Sequence, residues 1–138
     1  LGVNDNGMAS IVNTTGNPDG HIVLRGGSKG PNFDSQHVHR ISSELKHHNL
    51  PNKVMVDCSH GNSNKDFRKQ SEVLNDVANQ IRNGEKNILG VMIESHLKEG
   101  NQKLLKKEDL EFGRSITDPC INIETTKDLL ANLYNSVN

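Results

Sequence analysis

Tryptophan is absent, there is one tyrosine and three phenylalanines, and hydrophobic residues make up only 32% of the chain. Aromatic side chains bury the most apolar area per residue. A 138-residue chain so poor in them has a meagre core, a first sign that part of its packing surface lies elsewhere. The only two cysteines, Cys58 and Cys120, lack the spacing of a disulfide framework or a paired-cysteine metal site, which fits a reducing compartment. No apolar run approaches the roughly 20 residues of a membrane helix, and the first residues lack the basic-then-apolar pattern of a secretory signal. Neither sign of charge is in excess, with 16 basic and 17 acidic residues and a net charge of -1. This argues against nucleic acid or an anionic membrane as a partner. The expectation is a soluble, cytoplasmic chain with one domain or a piece of one, in which any anion is held by a local site.

What the chain does contain is an alternation of short apolar runs and helical stripes. Residues 1–17 read as two extended pieces around Asn4-Asp5-Asn6-Gly7, a step that suits a hairpin turn. After Gly16-Asn17-Pro18-Asp19-Gly20 comes a first strand, His21 to Leu24, closed by Arg25-Gly26-Gly27. Val38, Ile41 and Leu45 recur at helical spacing between Asp34 and Asn49, with Asp34 or Ser35 as cap. A second strand runs from Lys53 to His60. A longer helix follows, with Phe67, Val73, Leu74, Val77 and Ile81 along it and Asn83-Gly84 as its stop. A third strand spans 87–94, and Thr125 is expected to cap a last helix bearing Leu129, Leu130, Leu133 and Val137. Continuous apolar strands between helices call for a parallel sheet covered by helices, so the class is α/β. In such folds the carboxyl edge of the strands carries the chemistry, in barrels and doubly wound sheets alike.

Arg25, His60 and Glu94 close the three strands at that edge, at intervals of 35 and 34 residues. Arg25 before two glycines offers a guanidinium and unobstructed backbone N–H groups for a phosphate or carboxylate. An arginine there also serves equally well as half of a structural ion pair. His60, taken alone, is most simply a hydrogen-bonded structural residue. Glu94, directly after Gly90-Val91-Met92-Ile93, calls for a cation, because an unpaired buried carboxylate is costly. His96, two residues on, could share its side of the strand. Asp118, between Thr117 and Pro119, has an ordinary explanation as a turn residue. Taken as a set, one imidazole and two carboxylates from separate strand ends or loops match the mixed nitrogen and oxygen ligands of a divalent metal such as manganese or iron, with positions left open for substrate.

Four segments, GNPDGHIVLRGG (16–27), DCSHGNSNKDF (57–67), GVMIESHLKEGNQ (90–102) and GRSITDPCI (113–121), together resemble the class I 3-deoxy-D-arabino-heptulosonate 7-phosphate (DAHP) synthases, in order and in spacing, over essentially the whole chain. The resemblance implies the last three βα units of a (β/α)8 TIM barrel over residues 18–138, preceded by a β-hairpin insertion over 1–17. It implies a metal-dependent, aldol-type condensation of phosphoenolpyruvate with erythrose 4-phosphate at the head of aromatic amino-acid biosynthesis. His60, Glu94 and Asp118 would bind the metal (manganese, iron, cobalt or zinc), and Arg25 would contact phosphoenolpyruvate. Homo-oligomers are implied as well.

Two features depart from the family. Pro119-Cys120-Ile121-Asn122-Ile123 stands where the family commonly has Ala-Cys-Ile-Gly-Trp, which puts the placement of Asp118 in doubt. The family's fourth metal ligand, a cysteine on its first strand, and its Lys-Pro-Arg segment belong to the N-terminal half of the barrel and have no counterpart here. Cys58, two residues before His60, would share a strand face with it, but it is not expected to replace the missing ligand. Two expectations result: an enzyme portion that works when the N-terminal half is supplied, or a truncated, non-catalytic remnant that binds metal, anion or a protein partner.

Overall fold

The computed structural model describes residues 1–137; Asn138, the last residue of the expected 18–138 unit, lies outside the described residues. The chain is a mixed α/β structure with parallel strands and three α-helices. The opening hairpin forms as its Asn-Gly step demands. β1 (Gly2–Val3) pairs antiparallel with β2 (Ala9–Ser10), and Gly7 takes a φ of 75° in the turn. Among the described residues, the two strands of this hairpin pair only with each other.

The central sheet is parallel, in the order β3 (Ile22–Leu24), β4 (Val54–Asp57), β5 (Ile88–Met92). Its connections are α1 (Ser35–His47) and, after a single 3-10 turn at Phe67–Lys69, α2 (Gln70–Arg82). Asp34 caps α1 by accepting from the N–H groups of Gln36 and His37. Asn83 and Gly84, at φ 96°, end α2. One sheet face supplies Leu24, Val54 and Val56, which close over Val38, Leu45, Val73, Leu74 and Val77 from the two helices. The other face carries Val23 beside Met55, with Met92 further along, and none of the three is buried.

Three expectations need correction. The second strand does not run to His60: it stops at Asp57, and His60 lies in the turn that follows. The third strand does not run to Glu94: it stops at Met92, where the last pairing bond on the β4 side is Cys58 N–H to Met92 C=O. After a two-residue break the chain pairs again as β6 (Ser95–His96), parallel to β7 (Ile121–Asn122) in a separate two-stranded sheet. The last helix, α3 (Ile123–Val137), abuts β7 directly, and the side chain of Asn122, not Thr125, accepts the early helix N–H, that of Thr125. Leu129 is buried in the core, whereas Leu130 and Val137 are exposed. Among the described residues no helix is long and apolar enough to cross a membrane.

Candidate functional site

β3, β4 and β5 are parallel, and beyond the register shift at Val54/Met55 their ends align, Leu24 beside Val56 and Asp57 beside Met92, so the residues that follow them emerge at one edge. Arg25 follows β3 directly. Its carbonyl accepts from Gly61 N–H at 3.0 Å, tying it to the turn that follows β4. Asn62, buried in that turn, donates its side-chain amide to Leu24 C=O at 2.9 Å and to Asp57 C=O at 2.8 Å, and accepts from Asn32 N–H. One side chain thereby holds the ends of β3 and β4 at a fixed separation.

His60 sits in that turn with a φ of 48°, in the left-handed region that a non-glycine residue enters only when its surroundings compel it. The compulsion is Asp57. Its fully buried carboxylate meets His60 Nδ1 at 2.7 Å and accepts Ser59 N–H at 2.8 Å. With Nδ1 facing a carboxylate, Nε2 is the nitrogen presented to the site. Glu94 Oε1 lies 3.9 Å from it and Asp118 Oδ2 3.8 Å. Asp118 reaches this edge because Cys120 pairs with Gly100 and Ile121 N–H donates to Glu94 C=O at 3.0 Å. One ligand atom from each of His60, Glu94 and Asp118 falls within 4.8 Å of the others, the single such group among the described residues.

This geometry suits a divalent cation. An imidazole nitrogen and two carboxylate oxygens converge from three different segments, and the imidazole is oriented by a carboxylate behind it, as histidine ligands of metals usually are. His96 is not part of the cluster: it is exposed, and its Nδ1 accepts from Leu97 N–H. Nor is Cys58, which is buried among core side chains. Burial, reinforced by the neighbouring Asp57 charge, pushes its thiol up to about 12. Burial likewise raises the Cys120 thiol.

A cleft of about 430 Å³ adjoins the cluster, lined by Arg25, Ser59, His60, Lys65, Phe67, Asp118 and Pro119. Arg25 has no ion pair among the described residues, so the structural ion pair weighed as its other explanation is not formed here. Lys65, held at a φ of 62° by its N–H bond to His60 C=O, brings a second cation to the same cleft. Sequence reasoning passed over Asp57, Asn62 and Lys65. The signal for Asp57 was there, since an acid at the end of the apolar run Val54-Met55-Val56 is as anomalous as Glu94.

Residues 3–131 match the model of the DAHP synthetase I family. The Phe-sensitive phospho-2-dehydro-3-deoxyheptonate aldolase of Escherichia coli strain K12 is 53% identical over 137 residues, covering 99% of this chain and 39% of that protein. The tyrosine-inhibited enzyme of the same name from Schizosaccharomyces pombe is 48% identical over 141 residues, covering 99% of this chain and 38% of that one. A solved phospho-2-dehydro-3-deoxyheptonate aldolase structure from Francisella tularensis SCHU S4 superposes with a TM-score of 0.87 at 46% identity, over 98% of this chain and 39% of that chain. The chain thus spans under two-fifths of the length of these relatives. A family model that matches nearly the whole of this chain, and relatives this similar in sequence and in fold, establish that the chain belongs to the DAHP synthetase I family.

Proposed function

We propose that this chain forms the carboxyl-terminal part of a (β/α)8 synthase barrel, residues 1–17 as a hairpin insertion and 18–138 as its last βα units, and that the whole enzyme condenses phosphoenolpyruvate with erythrose 4-phosphate in the first step of aromatic amino-acid biosynthesis. The observation that carries this reading is the convergence of His60 Nε2 with the Glu94 and Asp118 carboxylates within 4.8 Å, beside a cleft lined by Arg25 and Lys65, in a member of this family.

His60, Glu94 and Asp118 would hold the divalent ion, of the manganese, iron, cobalt or zinc type. Once bound, it would supply a Lewis acid to polarise the aldehyde oxygen of erythrose 4-phosphate or to activate a water. Arg25 binds the anionic end of phosphoenolpyruvate by charge-assisted hydrogen bonds, and Lys65 adds positive charge to the same cleft. Asp57 keeps the His60 ring in one orientation, which fixes where Nε2 points. In the reaction, carbon 3 of phosphoenolpyruvate bonds to the aldehyde carbon, water adds at carbon 2, and inorganic phosphate leaves.

The test uses the complete polypeptide that carries this segment. Glu94→Gln and His60→Ala should each remove most of the bound metal and most of the phosphate release seen with both substrates. The melting temperature of the metal-free protein should move little, because ligands at strand ends can be lost without disturbing the packed face. Full metal occupancy in both variants would refute the assignment.

A further inference from the structure

Glu94 stands where regular pairing stops. β5 ends at Met92 and β6 begins at Ser95, so the peptide groups of Ile93 and Glu94 lie in a gap in the ladder. A backbone without partners would let the carboxylate wander, and a ligand displaced by an ångström binds poorly. Gln70, the first residue of α2, reaches across this gap. Its Oε1 accepts Glu94 N–H at 2.8 Å and its Nε2 donates to Glu94 C=O at 3.1 Å. The amide gives Glu94 the donor and the acceptor that a neighbouring strand residue would have given. The same C=O also accepts Ile121 N–H at 3.0 Å, so the peptide is gripped from α2 on one side and from β7 on the other.

Gln70 is completely buried. A buried amide costs free energy unless it is hydrogen-bonded, and a methionine of similar length would fill the same volume without that cost. Packing therefore does not explain a glutamine here, whereas its two bonds to Glu94 do. The segment it ends is also informative. The turn that carries His60 follows β4, and Gln70 comes after it and the 3-10 turn, so the residue that grips Glu94 is the first of the helix into which this excursion leads.

We propose that Gln70 is a positioning residue for the metal centre, aiming the Glu94 carboxylate at the point that His60 Nε2 and Asp118 share. The inference rests on His60, Glu94 and Asp118 being metal ligands. Its route runs through the Glu94 backbone, and Gln70 itself touches neither metal nor substrate.

The experiment titrates manganese(II) alone into the metal-free complete polypeptide, below the melting temperature of every variant. Two variants are compared with wild type: Gln70→Met, which fills the space without the amide, and Gln70→Asn, which keeps an amide but withdraws it by one methylene. Each should weaken manganese binding by about tenfold or more, the usual effect of removing a partner that orients a ligand. Adding Gln70→Met to Glu94→Gln should weaken the residual binding no further, since Gln70 acts only through Glu94. Wild-type affinity in both Gln70 variants, with Glu94→Gln depleted of metal, would overturn this inference and leave the ligand assignment standing. A double variant that binds more weakly than Glu94→Gln, by the full factor Gln70→Met causes alone, would make Gln70 a general support of the fold and also overturn it. Undiminished binding in Glu94→Gln itself would remove the ligand assignment, and this inference with it.

Discussion

Arg25 is followed by two glycines and lines the cleft beside the His60 cluster with no carboxylate pairing it among the described residues. A guanidinium in that position is free to take an anion from outside. If that anion is phosphoenolpyruvate, Arg25→Ala in the complete polypeptide should raise the KM for phosphoenolpyruvate by about 10- to 100-fold, the loss expected for a charged hydrogen bond. The KM for erythrose 4-phosphate should change much less. Steady-state kinetics in each substrate decides it, and equal weakening of both would mean that Arg25 acts by supporting the strand ends. At this scale the sequence revealed groups whose type conflicts with their neighbours. Arg25 and Glu94 stand out because each ends an apolar run, and His60 because it follows one closely. Gln70 does not stand out: it is neutral, it opens a helix, and its partner is 24 residues away. No local pattern marks a side chain whose task is to complete a distant backbone.

The elements were legible where periodicity and capping agree. α1 begins at the aspartate that caps it and α2 ends at Asn83-Gly84, as their patterns require. The start of α3 was misplaced because Asn122 and Thr125 are both good caps. The choice between them is made by Ile121, whose N–H bond to Glu94 C=O and pairing with β6 hold β7 in place and leave Asn122 at the helix entrance. Close contact between elements was equally invisible. Gly26, at φ 78°, lies so near the turn after β4 that a Cβ there would stand 2.5 Å from Gly61 C and 2.8 Å from Asn62 N. These are backbone atoms and cannot swing aside. Gly26→Ala should therefore destabilise the complete polypeptide by about 2–4 kcal/mol, from left-handed strain plus overpacking, and should loosen the joint between Arg25 and His60. Gly27→Ala is the control, since a Cβ at Gly27 would meet nothing within 4 Å. Denaturant midpoints of the two variants should differ in that order; equal midpoints would show that the β3 end and the β4 turn can separate freely.

For the molecule as a whole, the strand and helix alternation could be read from the sequence, but what covers the sheet could not, because periodicity reports that a side chain is apolar and not which surface it meets. The three-stranded sheet shows the consequence. Its helix-facing side is closed, whereas Val23 is 39% and Met92 36% exposed on or beside the opposite face, and β3 has no neighbour on its outer side among the described residues. Exposed apolar residues continue on the hairpin, where Val3, Ile11 and Met8 lie open, and along α3, where Leu130 and Val137 do. An apolar face together with an open parallel edge is a template for association. Closing a barrel of this kind typically takes about 250 residues, against the 138 present. Residues 1–138 expressed alone should therefore self-associate through the open edge and face, and should not turn over phosphoenolpyruvate and erythrose 4-phosphate. Supplying the amino-terminal portion of a family member as a separate polypeptide should shift the population toward a defined complex. Mass measured in solution across a concentration series, with phosphate release assayed on the same samples, checks both expectations. A concentration-independent, cooperatively folded monomer would mean that the uncovered face is tolerated in water. Such a monomer releasing phosphate from phosphoenolpyruvate when erythrose 4-phosphate is present would mean in addition that the groups gathered at this one sheet edge suffice for the chemistry.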